Sequence, residues 1–345
     1  MIPDEKIQEF RDELLSSSRP IFFFDDDCDG LASFLLLYRA VGEGKGVPIK
    51  AAPVLNEQFV SFVMNYSPGK IFVLDNSRIT DEFIHEVKSG ILCLDHHPYE
   101  PMERVKVYNP RDYDPEISWP TSYWAYKIAQ REEDIWLAMA GCVGDWFLPD
   151  FKDRFIELYP DLLSRDITKP DDALFDSEIG KLSQMLYFVL KGSTKTVLSS
   201  MKTLTRIKSP YEILKQESPA GRFIYKHYEK VRRQYDILLK QAKESVSDDR
   251  IVVFTYEAAT TSMTAEVSNE LIHMHPDKII VVARRKNGEF RCSLRSAGDT
   301  LVAPALERAL KAVEGYGGGH EHACGASIKE HDFGHFIELL REEFP

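Results

Sequence analysis

Short apolar runs that end on aspartate recur three times in the first hundred residues. Ile21-Phe22-Phe23-Phe24 leads into Asp25-Asp26-Asp27-Cys28-Asp29-Gly30, IFVLD closes on Asp75, and ILCLD closes on Asp95. Continuous apolar runs bounded by polar turns predict strands covered on both faces, the parallel-sheet case. LASFLLLYRAVGEG, after the first run, predicts a helix stopped by its glycines. TSYWAYKIAQREEDIWLAMAGCVGDW predicts two more, with Thr121 and Ser122 available to cap the first. Residues 150–180 are acidic and hold two prolines, which predicts a surface excursion. Residues 181–245 then read as helical, ending in one long connecting helix. After Asp249 a second rhythm begins: strand IVVFTY, a helix near 264–275, strands KIIVVARR and EFRCSLRS, and a helix over 300–313. The expectation is an α/β protein. A parallel-sheet domain over 1–210 is joined by a helical connector, 211–249, to a smaller α/β domain over 250–345.

Composition adds constraints. At 345 residues and 43% hydrophobic, the chain can bury two cores. A net charge of -12 argues against a general nucleic-acid coat protein, but the charge is uneven. Residues 181–245 hold 14 Lys/Arg against 5 Asp/Glu, an excess of +9 that leaves -21 to the remainder. Such a helical stretch can track a phosphate backbone or simply present a solvated face. The five cysteines form no CxxC pair, which predicts reduced thiols. MIPDEKIQEF lacks the apolar core of a leader, and no run is long enough to cross a bilayer. A cytoplasmic protein with no membrane partner is expected.

The chemistry lies where the strands end. In open α/β sheets ligands gather beyond the carboxyl ends of the strands, where the strand order switches. Asp27, Asp29, Asp75 and Asp95 fall at such ends, so they can converge although far apart in sequence. Packed carboxylates repel one another unless cations neutralise them. Carboxylates with imidazoles suit Mn²⁺, or Mg²⁺ with more water. Two such ions about 3.5–4 Å apart can hold both the attacking and the leaving oxygen of a phosphoryl centre.

DDDCDG (25–30), LDNS (74–77), Asp95-His96-His97 and CVGDW (142–146) resemble, in order, the four motifs of the DHH phosphoesterase superfamily. CSLRS (292–296) and GYGGGHEHACG (315–325) resemble its associated C-terminal domain. Within the superfamily the chain looks most similar to RecJ-like nucleases and their short archaeal relatives. The resemblance implies that Asp27 and Asp75 bind one Mn²⁺, and Asp29, Asp75, His96 and Asp145 the other. It also implies that His97 assists at the phosphate as an acid or charge stabiliser, while Asp95 orients a histidine. The family carries a His four residues before its first ligand Asp. Phe23 stands there in this chain, so Asp25 or water would take that place.

The Gly317-Gly318-Gly319 run reads either as a flexible turn or as a backbone nest for phosphate. His320 adds a donor, and Arg295 a planar fork matched to phosphate oxygens. The resemblance implies that these residues and Ser296 bind substrate across a cleft from the metals. Cys28 and Cys324 read as packing residues, Tyr123–Trp124 and Trp146–Phe147 as core, and His322 as either a substrate contact or a structural group. The expected function is a Mn²⁺-dependent exonuclease releasing mononucleotides from single-stranded DNA or RNA, with a replication or repair protein as partner. Two alternatives are kept. One is a phosphatase acting on short oligonucleotides or 3′-phosphoadenosine 5′-phosphate; the other is a non-catalytic replication scaffold.

Overall fold

The computed structural model describes residues 1–50, 54–257 and 261–344, and divides into two compact units, Met1–Tyr228 and Glu229–Pro345. The first is built on a parallel sheet of five strands in the order β2-β1-β3-β4-β5: β1 Ile21–Asp25, β2 Lys45–Ile49, β3 Lys70–Leu74, β4 Gly90–Leu94 and β5 Val105–Tyr108. The three apolar runs are the three central strands, buried on both faces as their composition requires. β2 and β5 are edge strands. Their exposed positions break the apolar pattern, and Pro48 lies on an edge, where the missing N–H costs no ladder bond.

Side-chain alternation assigns the two faces. Phe22 and Phe24 pack on Phe34 of α2 (Cys28–Val41), and Phe72 packs on Phe10 of α1 (Asp4–Leu15). On the other face Ile21, Phe23, Ile71, Val73 and Cys93 meet Val63 of α3 (Val60–Tyr66) and Phe83 of α4 (Asp81–Glu86). Each buried Phe contributes on the order of 1.5–3 kcal/mol. α5 (Thr121–Ala129) and α6 (Ile135–Gly144) pack on α2.

Residues 150–180 are not a mere surface excursion. They form α7 (Lys152–Leu158) and α8 (Pro170–Phe175), which with the stretch between them bury Phe155, Ile156, Leu162, Leu163 and Ala173. Sparse apolar residues at the right turns suffice there. The basic region follows as α9 (Glu178–Phe188), α10 (Thr194–Leu204), α11 (Pro210–Leu214) and the long α12 (Pro219–Glu244). The boundary between the units falls inside α12, which also bears on the basic charge. Arg232 pairs with Asp236 at 2.6 Å and Arg233 with Glu229 at 3.2 Å, both one turn apart. Exposed pairs of this kind contribute only about 0.3–0.5 kcal/mol each.

The second unit has a mixed sheet in the order β6-β7-β8-β10-β9, in which only β6 and β7 run parallel. The strands are β6 Ile251–Glu257, β7 Ile279–Lys286, β8 Glu289–Arg295, β9 Gly315–His320 and β10 Ala323–Lys329. Asn287-Gly288, both at positive φ, close the two-residue hairpin between β7 and β8. α13 (Thr264–Met274) packs on β7 and β8. α14 (Val302–Ala309) and α15 (Phe333–Glu343) enclose the core through Leu306, Phe336 and Leu340. The Gly317–Gly319 run is an exposed edge strand rather than a free turn.

Candidate metal centre

Strand order switches between β1 and β3, because the chain leaves β1 for β2 on one side and returns to β3 on the other. The acidic residues collect at that switch. Asp25 is the last residue of β1. Asp27 caps α2, its Oδ1 accepting the Gly30 N–H at 2.9 Å. A Cβ on Gly30 would lie 2.5 Å from the Asp25 carbonyl oxygen, so glycine lets the helix start directly against the strand end. Asp75 follows β3 in the left-handed region at φ 58°, a conformation tolerated by Asp and Asn better than by most residues. Asp95-His96-His97 follows β4, and Asp145 follows α6.

These residues form overlapping sets. Asp25, Asp27 and Asp75 offer ligand atoms all within 4.8 Å of one another, as do Asp29, His96 and Asp145, and so does the set Asp75, Asp95, His96 and His97. His96 Nε2 lies 3.4 Å from Asp75 Oδ1 and 3.7 Å from Asp145 Oδ2. Its Nδ1 is engaged with the Ser118 carbonyl at 3.0 Å, which leaves Nε2 to face the carboxylates. Phe23, four residues before Asp27, is fully buried between Phe59 and Phe83. It offers no ligand, and Asp25 stands among the carboxylates instead.

Asp29 also braces a helix start. Its Oδ2 accepts the Thr121 N–H at 2.7 Å and its Oδ1 the Ser122 N–H at 2.8 Å. The cap of α5 is thus a carboxylate from the start of α2, not a Thr or Ser hydroxyl. Thr121 Oγ1 donates to Asp75 Oδ1 at 3.1 Å, so the helix start braces two of the carboxylates.

The electrostatics fit a cation site. Burial, followed by the Asp27 charge, raises Asp25 to about 7 and Asp29 to about 6. Burial and the Asp29 charge push Asp75 and Asp145 well above the usual carboxylate range. Burial, with the His97 charge, lowers His96 to about 4 and keeps its imidazole neutral. His97 behaves oppositely. Burial opposes its charge, but the bond from Nδ1 to Asp95 Oδ1 at 2.9 Å and the Asp95 charge prevail and raise its pKa. Asp95 is pushed up by burial yet ends below its ordinary value, because the His97 bond and the His97 charge outweigh it. Carboxylates that repel so strongly beside a neutral imidazole are a donor set suited to hard or borderline divalent cations.

Two residues that sequence reasoning missed hold the histidines from behind, Asn109 and Arg111. The Asn-Pro turn after VKVY was the available signal.

In the second unit, Arg295 and His320 both pair in register with Ala323, so they lie on one row across the sheet. Arg295 Nε donates to Asn269 Oδ1 at 2.6 Å and Nη1 to the Leu294 carbonyl at 2.8 Å. Ser296 is buried, with its hydroxyl donating to the Thr300 carbonyl at 2.6 Å. The backbone of Gly317, Gly318 and Gly319 lies exposed in β9. His322 Nδ1 lies 3.0 Å from the Thr300 carbonyl, a structural contact. Cys28 and Cys324 are buried thiols, Tyr123 and Trp124 are core, and Trp146 is 37% exposed.

Residues 248–344 match the DHHA1 domain model. No curated protein matches the chain by sequence. Among solved structures, RecJ from Thermus thermophilus in complex with Mn²⁺ is similar over 99% of this chain, with 15% identity and a TM-score of 0.69. This chain spans 55% of that one. An exopolyphosphatase-related protein from Bacteroides fragilis is similar over 100% of this chain and 97% of its own, with 15% identity and a TM-score of 0.58. A pGpG-specific phosphodiesterase from Vibrio cholerae is similar over 94% of this chain and 98% of its own, with 15% identity and a TM-score of 0.51. The chain carries a DHHA1 domain at 248–344 and shares the RecJ-like α/β fold of these neighbours.

Proposed function

We propose that the chain is a two-metal phosphodiesterase that degrades single-stranded DNA or RNA from an end and releases mononucleotides. The observation that carries this reading is the convergence of Asp25, Asp27, Asp29, Asp75, His96 and Asp145 at the strand-order switch, with His97 beside them. Asp25, Asp27 and Asp75 would hold one Mn²⁺ or Mg²⁺, and Asp29, Asp75, His96 and Asp145 the other. Bound there, the cations would supply the charge that activates water and relieves the phosphoryl oxygens. The chain's own groups do the rest. Asp75 would serve both sets: it groups with Asp25 and Asp27, and its Oδ1 lies 3.4 Å from His96 Nε2. His97, 42% exposed and tied through Nδ1 to Asp95, has Nε2 left to protonate the leaving oxygen. In the second unit, the glycine backbone of β9, His320, Arg295 and Ser296 are assigned to the substrate phosphate.

End-labelled single-stranded DNA and RNA, incubated with Mn²⁺ and resolved on a gel, should give labelled mononucleotide or a shortening ladder from at least one strand type. Intact strands, with hydrolysis of dinucleotides or 3′-phosphoadenosine 5′-phosphate, would overturn the nuclease reading.

Reversing the charges of Arg232 and Arg233 separates the two further. Their local ion pairs are weak, so the guanidinium groups can still meet phosphate. The variant should bind long single strands less well, with a defect that grows as salt falls, and should leave dinucleotides almost untouched. Equal losses on dinucleotides and long strands would remove α12 as a nucleic-acid track.

A further inference from the structure

The histidine pair is held by backbone that the sheet no longer supports. The bond from the Asp95 N–H to the Tyr108 carbonyl, at 3.2 Å, is the last rung between the β4 and β5 chains. His96 and His97 come next and must present rings to the site from strandless chain. Two side chains replace the missing rungs. Asn109, fully buried, donates Nδ2–H to the His97 carbonyl at 2.8 Å, while its Oδ1 accepts the Arg111 N–H at 3.0 Å. That second bond is an Asx turn, with Pro110 between its ends presetting φ. Arg111 then folds back. Its Nε donates to the His96 carbonyl at 2.8 Å, and its Nη1 to the Pro115 carbonyl at 2.9 Å. Three residues beyond Pro115, the Ser118 carbonyl engages His96 Nδ1. One guanidinium therefore joins the backbone that carries His96 to the segment that orients its ring.

We infer that Asn109 and Arg111 are positioning residues with separate tasks: Arg111 sets His96 as a cation ligand, and Asn109 sets His97 as a proton donor. The inference rests on the metal-dependent reading above. A fork with two fixed donors is required at Arg111, because two carbonyls about one loop apart are held at once; a lysine keeps the charge but not the fork. At Asn109 both ends of one amide are used, so Asn109→Asp preserves the shape and the Asx acceptor while turning the donor toward the His97 carbonyl into an acceptor.

The test uses the full chain, Mn²⁺ alone as the binding probe, and steady-state kinetics on the best substrate. Free Mn²⁺ is followed by its electron paramagnetic resonance signal during titration. Arg111→Lys should weaken one of two Mn²⁺ sites by roughly 10–100-fold, the usual consequence of removing a group behind a metal-ligating histidine. Asn109→Asp should keep both Mn²⁺ affinities and lose roughly 10–100-fold in kcat with KM unchanged. Equal Mn²⁺ losses in both variants, or unchanged Mn²⁺ binding with a shift only in KM, would show that the turn merely holds a loop. Circular dichroism confirms folding. Should Arg111→Lys fail to fold, Arg111→Gln, which retains one amide donor, takes its place. If the wild-type chain binds two Mn²⁺ but cleaves no phosphodiester while Arg111→Lys still loses one, the functional reading fails and the role of Arg111 stands.

Discussion

Asp75→Asn should lower turnover by about three orders of magnitude or more and leave the purified protein short of bound cation. The expected size follows from removing several kcal/mol of metal-borne charge stabilisation. Asparagine is the informative substitution because Asp75 sits at φ 58°. It keeps the volume, tolerates the left-handed region and can still accept the Thr121 hydroxyl bond, whereas alanine would add backbone strain of about 1–2 kcal/mol. His97→Ala should also suppress turnover, by roughly 10²–10⁴-fold, the range for losing a general acid. It should retain the cation, because Asp75, His96 and the other carboxylates are untouched. Metal analysis of the two proteins decides the matter: equal cation content would show that Asp75 does not join the two sets.

Chelation should stop catalysis completely, and the metal-free protein should lose stability as pH rises. Asp25, Asp29, Asp75 and Asp145 have folded pKa values raised above the ordinary carboxylate value near 4. The folded, metal-free state therefore holds more protons than the unfolded chain from about pH 4 upward, through about 6 for Asp29 and about 7 for Asp25. Stability from these groups is present at acid pH and is lost as pH climbs through those values. Cations reverse the trend, since they bind the ionised cluster and compete with protons. At 100 times its Kd, a cation contributes about 2.7 kcal/mol. At about 2–4 °C per kcal/mol for a unit of this size, that is roughly 5–10 °C in Tm. The increment in Tm on adding Mn²⁺ to the chelated protein should grow from pH 5 to pH 8. An increment flat across that range, or turnover that survives excess EDTA, would contradict the cation-site reading.

Much of the fold, and the gathering of its acidic residues, was legible in the chain for physical reasons that can be located. Central strands announce themselves because both faces are buried, so Phe22–Phe24, Ile71–Leu74 and Ile91–Leu94 are uniformly apolar, and the acids that follow stand out. Edge strands carry no such signal, and β2 and β5 emerged only with the fold. Local pattern also misplaced the cap of α5, since its acceptor, Asp29, lies 92 residues away in sequence. Gly317–Gly319 has the composition of a turn yet forms a strand, because pairing with β10 supplies what side chains do not. A Cβ on Gly317 would lie 2.6 Å from the Gly325 carbonyl oxygen, so close approach and not turning explains that glycine. The roles of Asn109 and Arg111 depend on carbonyls brought near by the β4–β5 pairing, and no local pattern encodes them.

Phe23 has a consequence for ion selection. With that side chain sealed among Phe59 and Phe83, the nearby set of Asp25, Asp27 and Asp75 is made of oxygen alone, whereas the other set contains an imidazole. Oxygen-only sites rank ions by hardness and favour Mg²⁺, while a nitrogen ligand tilts preference toward Mn²⁺ and later transition metals. Two positions that share Asp75 would thus fill in different orders when both ions compete. Under the proposed function, such a heterogeneous pair would make turnover depend on the ratio of manganese to magnesium supplied.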